Sequence, residues 1–204
     1  MWADINPNIT KTLQKASHYR GEPNYMKITV YLGANQGNSD KFKTAIKELG
    51  SFIGKRGDTL VYGGSKSGLM GILADSVLDA GGLVIGVEPQ MFIESNFQHE
   101  AITELIVTKD MPERKSKMIE LGDAFIAFPG GTGTLEEISE VMSLVSLKLI
   151  DSPCILYNLD GYYNGLKELL NTMTSYGLSS KERQEGIYFA NSICEIEEII
   201  CKTV

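Results

Sequence analysis

Cysteine and histidine are scarce in this chain, and its positive charge is outweighed. Cys154, Cys194 and Cys201 form an odd set without C-x-x-C spacing, and His18 and His99 are the only histidines. Neither a disulfide framework nor a zinc site is indicated, so no metal is expected. His99 has no serine or cysteine in a matching context and therefore gives no catalytic triad. The 19 Lys and Arg against 26 Asp and Glu leave a formal net charge of −7. Such a balance argues against a broad nucleic-acid or anionic-membrane surface, which relies on clustered cations to neutralise phosphates, while leaving room for a local cationic pocket. No run approaches the roughly 18 apolar residues of a membrane span. The first residues, MWADINPNITK, lack a basic region followed by an apolar one. These absences point to a reducing cytoplasm.

What is present fits one sizeable globular domain: 204 residues, 43% hydrophobic and 22% charged. Residues 1–25 are polar and broken by Pro7, Gly21 and Pro23, so they read as an appendage with at most a short amphipathic helix over 9–16. From residue 26 to 204 the pattern is continuous, without repeat or linker. Apolar, β-rich runs recur at 27–32, 58–62, 83–87, 105–108, 124–128, 153–159 and 186–190. Between them lie helical patterns: one capped by Ser39, one over 69–80, one from the cap Asp110 with Pro112 and Glu113 to the stop at Gly122, one from Thr134 to about 149, and two more over 162–176 and 192–201. Residues 91–100 are irregular and long enough to form part of a lid. Strands alternating with helices define an α/β fold, a Rossmann-like doubly wound, mostly parallel sheet with helices on both faces.

The segment Pro-Gly-Gly-Thr-Gly-Thr-Leu-Glu-Glu, 129–137, follows the fifth strand and opens a helix. In a parallel sheet, ligands collect beyond the carboxyl ends of the strands, where a helix N-terminus offers unpaired N–H groups and partial positive charge. Gly130, Gly131 and Gly133 let the backbone come close to a phosphate, and Thr132 and Thr134 add hydroxyls. Glu137 would then sit on the first turn, near whatever the phosphate carries, to work on sugar or water. The same spacing also fits a capping box between Thr134 and Glu137, and the sequence leaves both readings open. The loop is neither G-x-G-x-x-G nor a Walker loop, so by itself it points to phosphate more than to a reaction.

A second glycine loop, 63–68, follows the second strand, and the helix at 110–122 carries Arg114 and Lys115. These two either bind anion at the crevice or are solvated surface charges; Lys66 and Lys117 fit the solvated reading. Asp123, just before a buried strand, either caps the preceding turn or holds Arg114, and the structural role is favoured. Glu136 points about 100° away from Glu137 on a helix, so only one of them can face the site well. Glu88 ends a strand, where it either reaches the ligand or is exposed, and exposure is the commoner outcome for a lone carboxylate there. Tyr162, Tyr163, Met111, Met118 and Met142 are expected to pack.

Arg-Lys-Ser-Lys-Met at 114–118 and Pro-Gly-Gly-Thr-Gly-Thr-Leu-Glu-Glu at 129–137 together resemble the RKxxM and PGGxGTxxE motifs of the LONELY GUY (LOG) family. The resemblance extends through Val-Tyr-Gly-Gly at 61–64, Gly-Leu-Met-Gly at 68–71, Val-Ile-Gly-Val at 84–87 and Asn-Leu-Asp-Gly-Tyr-Tyr-Asn at 158–164. Members are cytokinin-activating nucleoside 5′-monophosphate phosphoribohydrolases, often labelled possible lysine decarboxylases. The resemblance implies that Arg114 and Glu137 are catalytic and that Gly130, Gly131, Thr132, Gly133 and Thr134 cradle the 5′-phosphate. It further implies that Gly64, Met70 and Lys115 border the nucleotide and that the chain forms a homodimer or larger homo-oligomer. The implied reaction is hydrolysis of the N-glycosidic bond of AMP or an N6-modified AMP, with no cofactor. Ala34, Ser65 and Glu88 depart from the family's usual serine, glycine and apolar residue, at positions that the resemblance sets beside the base and ribose. Two other readings remain: a non-catalytic nucleotide-binding or carrier protein on the same fold, and a pyridoxal-phosphate lysine decarboxylase, for which no lysine stands in a recognisable Schiff-base context.

Overall fold

The computed structural model describes residues 25–93 and 97–203. The helix expected over 9–16 lies outside them. Seven strands, β1 (Lys27–Tyr31), β2 (Thr59–Tyr62), β3 (Leu83–Pro89), β4 (Glu104–Thr108), β5 (Ala124–Ala127), β6 (Cys154–Tyr157) and β7 (Ile187–Ala190), form one sheet in the order β4-β3-β2-β1-β5-β6-β7. Every neighbouring pair is parallel. The inner strands β5 and β6 are buried along their whole length, as expected where helices cover both faces of a parallel sheet. The chain lays down β1 to β4 in one direction and then returns to place β5 on the free side of β1. The order therefore reverses between β1 and β5, and the crevice outside their carboxyl ends is where such sheets bind ligands.

The helices are α1 (Asp40–Lys55), α2 (Gly68–Asp79), α3 (Gln90–Ile93), α4 (Met111–Leu121), α5 (Thr132–Ser146), α6 (Asn164–Ser175) and α7 (Ile193–Thr203). On one face of the sheet, Ile46 and Leu49 of α1, Leu73 and Val77 of α2 and Ile196 of α7 join one core. On the other face, Met118 of α4 with Ile138 and Val141 of α5 join a second. No helix among the described residues is long and apolar enough to cross a membrane.

Local chemistry sets the helix starts. Ser39 caps α1 by accepting from Lys41 N, and Asp110 caps α4 by accepting from Glu113 N at 2.9 Å, while the Glu113 carboxylate reaches back to Lys109 N. At α5 the capping box, one of the two readings of the Thr134–Glu137 spacing, is absent: the N-cap is Gly131, without a side-chain cap, and its carbonyl accepts from Leu135 N. The small residues after Pro129 let the helix begin early, so Glu137 falls on the second turn rather than the first. At α6, a 3-10 turn at Leu159–Gly161, with Asp160 and Gly161 at positive φ, delays the start to Asn164. The irregular stretch after β3 opens with α3, and its described end runs antiparallel to the β2 loop, with Lys66 N donating to Phe97 O and His99 N to Gly64 O.

Two carboxylates tie the beginning of β1 at the opposite edge of the sheet. Asp123 Oδ2 accepts from Lys27 N at 2.8 Å, and buried Asp58 accepts from Met26 N at 2.9 Å and pairs with Arg56 Nε at 2.7 Å. Asp58→Ala orphans a buried N–H and a guanidinium; it is expected to cost about 2 kcal/mol in urea unfolding. Asp58→Asn keeps an acceptor for Met26 N and is expected to cost less.

Candidate active site

Helix α4 starts just past β4, and its first turns bring Arg114 inward against the sheet. The guanidinium is bound on two sides: Nε donates to Val87 O at 3.1 Å and Nη1 donates to Glu137 Oε1 at 2.5 Å. Its third nitrogen, Nη2, lies against Gly63, where a Cβ would stand 2.5 Å away. A side chain at Gly63 would thus displace the guanidinium from below. The Arg114 and Glu137 side chains are only 7% and 9% exposed. Tyr31, stacked on Phe125 at 6.5 Å, is near enough to feel the charges of both. Burial and the Glu137 charge together push the Tyr31 hydroxyl far above its ordinary range, so it stays protonated. Burial likewise raises the Glu137 carboxyl, while the charge and hydrogen bond of Arg114 pull it back down.

At the start of α5, Gly131, Thr132 and Gly133 are exposed, and the first N–H groups of the helix face outward with no partner inside it. The carbonyls before them are drawn the other way. Tyr162 Oη donates to Gly130 O at 2.5 Å and Tyr163 Oη donates to Phe128 O at 2.8 Å. Two tyrosine hydroxyls thereby turn acceptors away from a row of donors, which leaves a surface suited to an anion. Thr134 is buried, with its hydroxyl packed beneath Gly130, so Thr132 is the threonine open to a ligand.

The other expected site residues divide. Gly64, at φ +84, forms the turn after β2, and Met70 Cε and Sδ approach Gly63 close to the guanidinium. Lys115 points elsewhere: Nζ bridges Glu136 and, at 3.1 Å, Glu140 on α5, a pairing that raises its pKa. That bridge also accounts for Glu136, which is exposed and faces away from Glu137. Asp123 holds a strand rather than Arg114. Glu88, expected at the surface, is instead 1% exposed, covered at the end of β3 beside Gly64. Gly63 and the two tyrosine hydroxyls are the contributors that residue types alone did not single out; the Tyr-Gly-Gly and Gly-Tyr-Tyr strings carried the signal. Among the described residues no group of three or more His, Cys, Asp or Glu could hold a metal ion.

A doubly wound sheet, a donor-rich helix start at its switch point and a buried Arg–Glu pair beside it define a protein built to hold a small anionic ligand. A family model described as possible lysine decarboxylase matches residues 70–200. A cytokinin riboside 5′-monophosphate phosphoribohydrolase of Rhodococcoides fascians is 44% identical over 148 residues, covering 72% of this chain and 75% of that protein. The cytokinin riboside 5′-monophosphate phosphoribohydrolase LOG1 of Arabidopsis thaliana is 38% identical over 175 residues, covering 86% and 82%. Among solved structures, the molybdenum cofactor binding protein of Rippkaea orientalis superposes with a TM-score of 0.65 at 25% identity, over 87% of this chain and 96% of that one. The chain belongs to the LOG family.

The pair makes a stability prediction. Arg114→Met strands a buried carboxyl and is expected to destabilise the fold by about 3 kcal/mol. Adding Glu137→Leu removes that stranded group and is expected to restore most of the loss, which chemical denaturation of both variants would measure.

Proposed function

We propose that this chain hydrolyses the N-glycosidic bond of a purine nucleoside 5′-monophosphate, releasing free base and ribose 5-phosphate. The observation that carries the reading is the buried Arg114–Glu137 pair set one turn beyond an open helix start. The N–H groups after Gly131 bind the 5′-phosphate, with Thr132 adding a hydroxyl, so that the ribose lies over Glu137. As the bond from C1′ to the base nitrogen breaks, its electron pair leaves with the base and positive charge grows on the ribose. The Glu137 carboxylate stabilises that charge. Water adds its oxygen to C1′ and gives up a proton, which balances the departing base. Arg114 keeps Glu137 ionised against its burial and fixes its direction.

Relatives named cytokinin riboside 5′-monophosphate phosphoribohydrolases at this level of identity support the reading. AMP or an N6-modified AMP is the substrate class it implies. The same reading carries a cytoplasmic setting and a homo-oligomer, and the exposed Leu147, Leu149, Leu169, Tyr176 and Leu178 at the end of α5 and along and beyond α6 support the association. The carrier reading keeps one observation in its favour, the shared architecture with a molybdenum cofactor binding protein. A pyridoxal cofactor does not fit: among the described residues no lysine is buried, and Lys115, next to Arg114 in sequence, is taken by two glutamates.

Free-base release from AMP and from N6-isopentenyl-AMP separates these readings. The wild type is expected to release base from at least one, and Glu137→Gln to lose at least about a hundredfold in kcat while still binding nucleotide. Binding without release by the wild type would favour the carrier.

The pH profile gives a second check. The ionised carboxylate is the working form and its pKa is raised above the ordinary 4.5, so activity is lost as pH falls through that raised value. The acidic limb of kcat/KM is therefore expected above pH 4.5.

A further inference from the structure

The chemistry at Arg114 and Glu137 leaves one buried carboxyl unused. Glu88 Oε2 and the hydroxyl of Tyr62 are both buried without a hydrogen-bond partner. Both belong to the sheet face that α2 covers: Val84 packs into that core and Ile85 and Val87 into the other, so period two sends Glu88 the way of Val84. A buried polar group without a partner is expensive, and an apolar side chain at the same place would be better tolerated by the fold. The carboxyl makes sense if a ligand completes it.

Its place agrees. A nucleotide with its phosphate after β5 and its C1′ at Glu137 extends its base away from α5, across the ends of β1 and β2 toward β3. From β5 to β3 are three strand spacings, roughly 14 Å. The turn crossing that path is Gly63–Gly64, which carries no side chains, and Glu88 Oε2 would lie 3.4 Å from a Cβ placed on Gly64. The Arg114 guanidinium, bonded to the carbonyl of Val87, borders the same spot.

We propose that Glu88 reads the base, its free oxygen accepting a hydrogen bond from the exocyclic amine of a 6-aminopurine, so that the chain selects adenylate-type over 6-oxopurine nucleotides. The placement of the base rests on the reading given under Proposed function. Burial pushes the Glu88 carboxyl upward, with Arg114 opposing. Adenine offers its 6-amino donor beside the N7 acceptor on that edge, and the free oxygen of Glu88 takes the donor. A 6-oxopurine presents two acceptors there and leaves the acceptor oxygen of Glu88 unpaired. An N6-alkylated adenine keeps one N–H, so this contact accepts it on polarity.

The test measures binding of AMP and IMP by calorimetry and base release from each, for the full chain, Glu88→Leu and Glu88→Gln. The wild type is expected to favour AMP at least about tenfold in both measurements. Glu88→Leu is expected to bring the ratio within about threefold of unity by weakening AMP, with a thermal midpoint no lower than wild type. Glu88→Gln, whose amide can present oxygen or NH2, is expected to fall between. A ratio unchanged in both variants, or a wild type that treats the two nucleotides alike or binds neither, overturns the assignment. Selective AMP binding that collapses in Glu88→Leu without any base release leaves Glu88 as the base reader and removes the hydrolase reading instead.

Discussion

The contact between Arg114 and Glu137 is an ion pair almost withdrawn from water, and the surrounding structure is arranged so that it can exist. Taking both charges out of water costs several kcal/mol per ion, which attraction repays only if the remaining donors and acceptors are also met. Here the Val87 carbonyl meets a second side of the guanidinium, and Gly63 leaves room for the third. The caps at Asp110 and Gly131 fix where α4 and α5 begin, and hence which residues of each helix turn toward the other. A shift of one residue in either start would rotate Arg114 or Glu137 by about 100° and separate them. Two well-packed apolar side chains would serve stability as well, so the pair is better understood through chemistry than through the fold.

A substrate with a phosphate, as proposed above, would have to be drawn to an acidic chain. The polarity at the start of α5 is set by oriented dipoles rather than by added cations. The hydroxyls of Tyr162 and Tyr163 hold the carbonyls of Gly130 and Phe128, while the exposed helix start shows only N–H groups. Lys115, the cation next to Arg114 in sequence, is neutralised by Glu136 and Glu140. What remains near the crevice is the helix terminus and one guanidinium, a short-ranged positive field inside a molecule of net charge −7. Such a field matches the size of a single phosphate group.

Much of this was legible in the sequence because it is local. All seven strands were visible as apolar runs, and the caps at Ser39 and Asp110 as residue types at fixed offsets. The seam between Thr134 and Glu137 was not, because a T-x-x-E spacing describes a capping box and a site-facing carboxylate equally well; the N-cap at Gly131 removes the capping box. Lys115 looked like a pocket cation because its partners on α5 are distant in sequence. Glu88 looked exposed because a strand-end carboxylate carries no mark of what will cover it, and its neighbour at Gly64 arrives from a different loop. The tyrosine pair packs edge to face at 5.0 Å, as expected of aromatic side chains, but the targets of the hydroxyls are set by tertiary placement.

The two buried carboxyls meet different surroundings at one sheet edge. Burial raises the pKa of both, and Arg114 opposes that rise in both. Only Glu137 receives the hydrogen bond that holds an ionised carboxylate in a fixed direction, which suits a group that must face developing positive charge. Glu88, on the other face of the sheet, has the charge of Arg114 nearby but an oxygen without a donor, which suits a group whose partner arrives with the ligand. Environments that treat like groups unequally are how a site separates its roles. In this chain one guanidinium, held by the Val87 carbonyl and Glu137 with Gly63 alongside, draws that line.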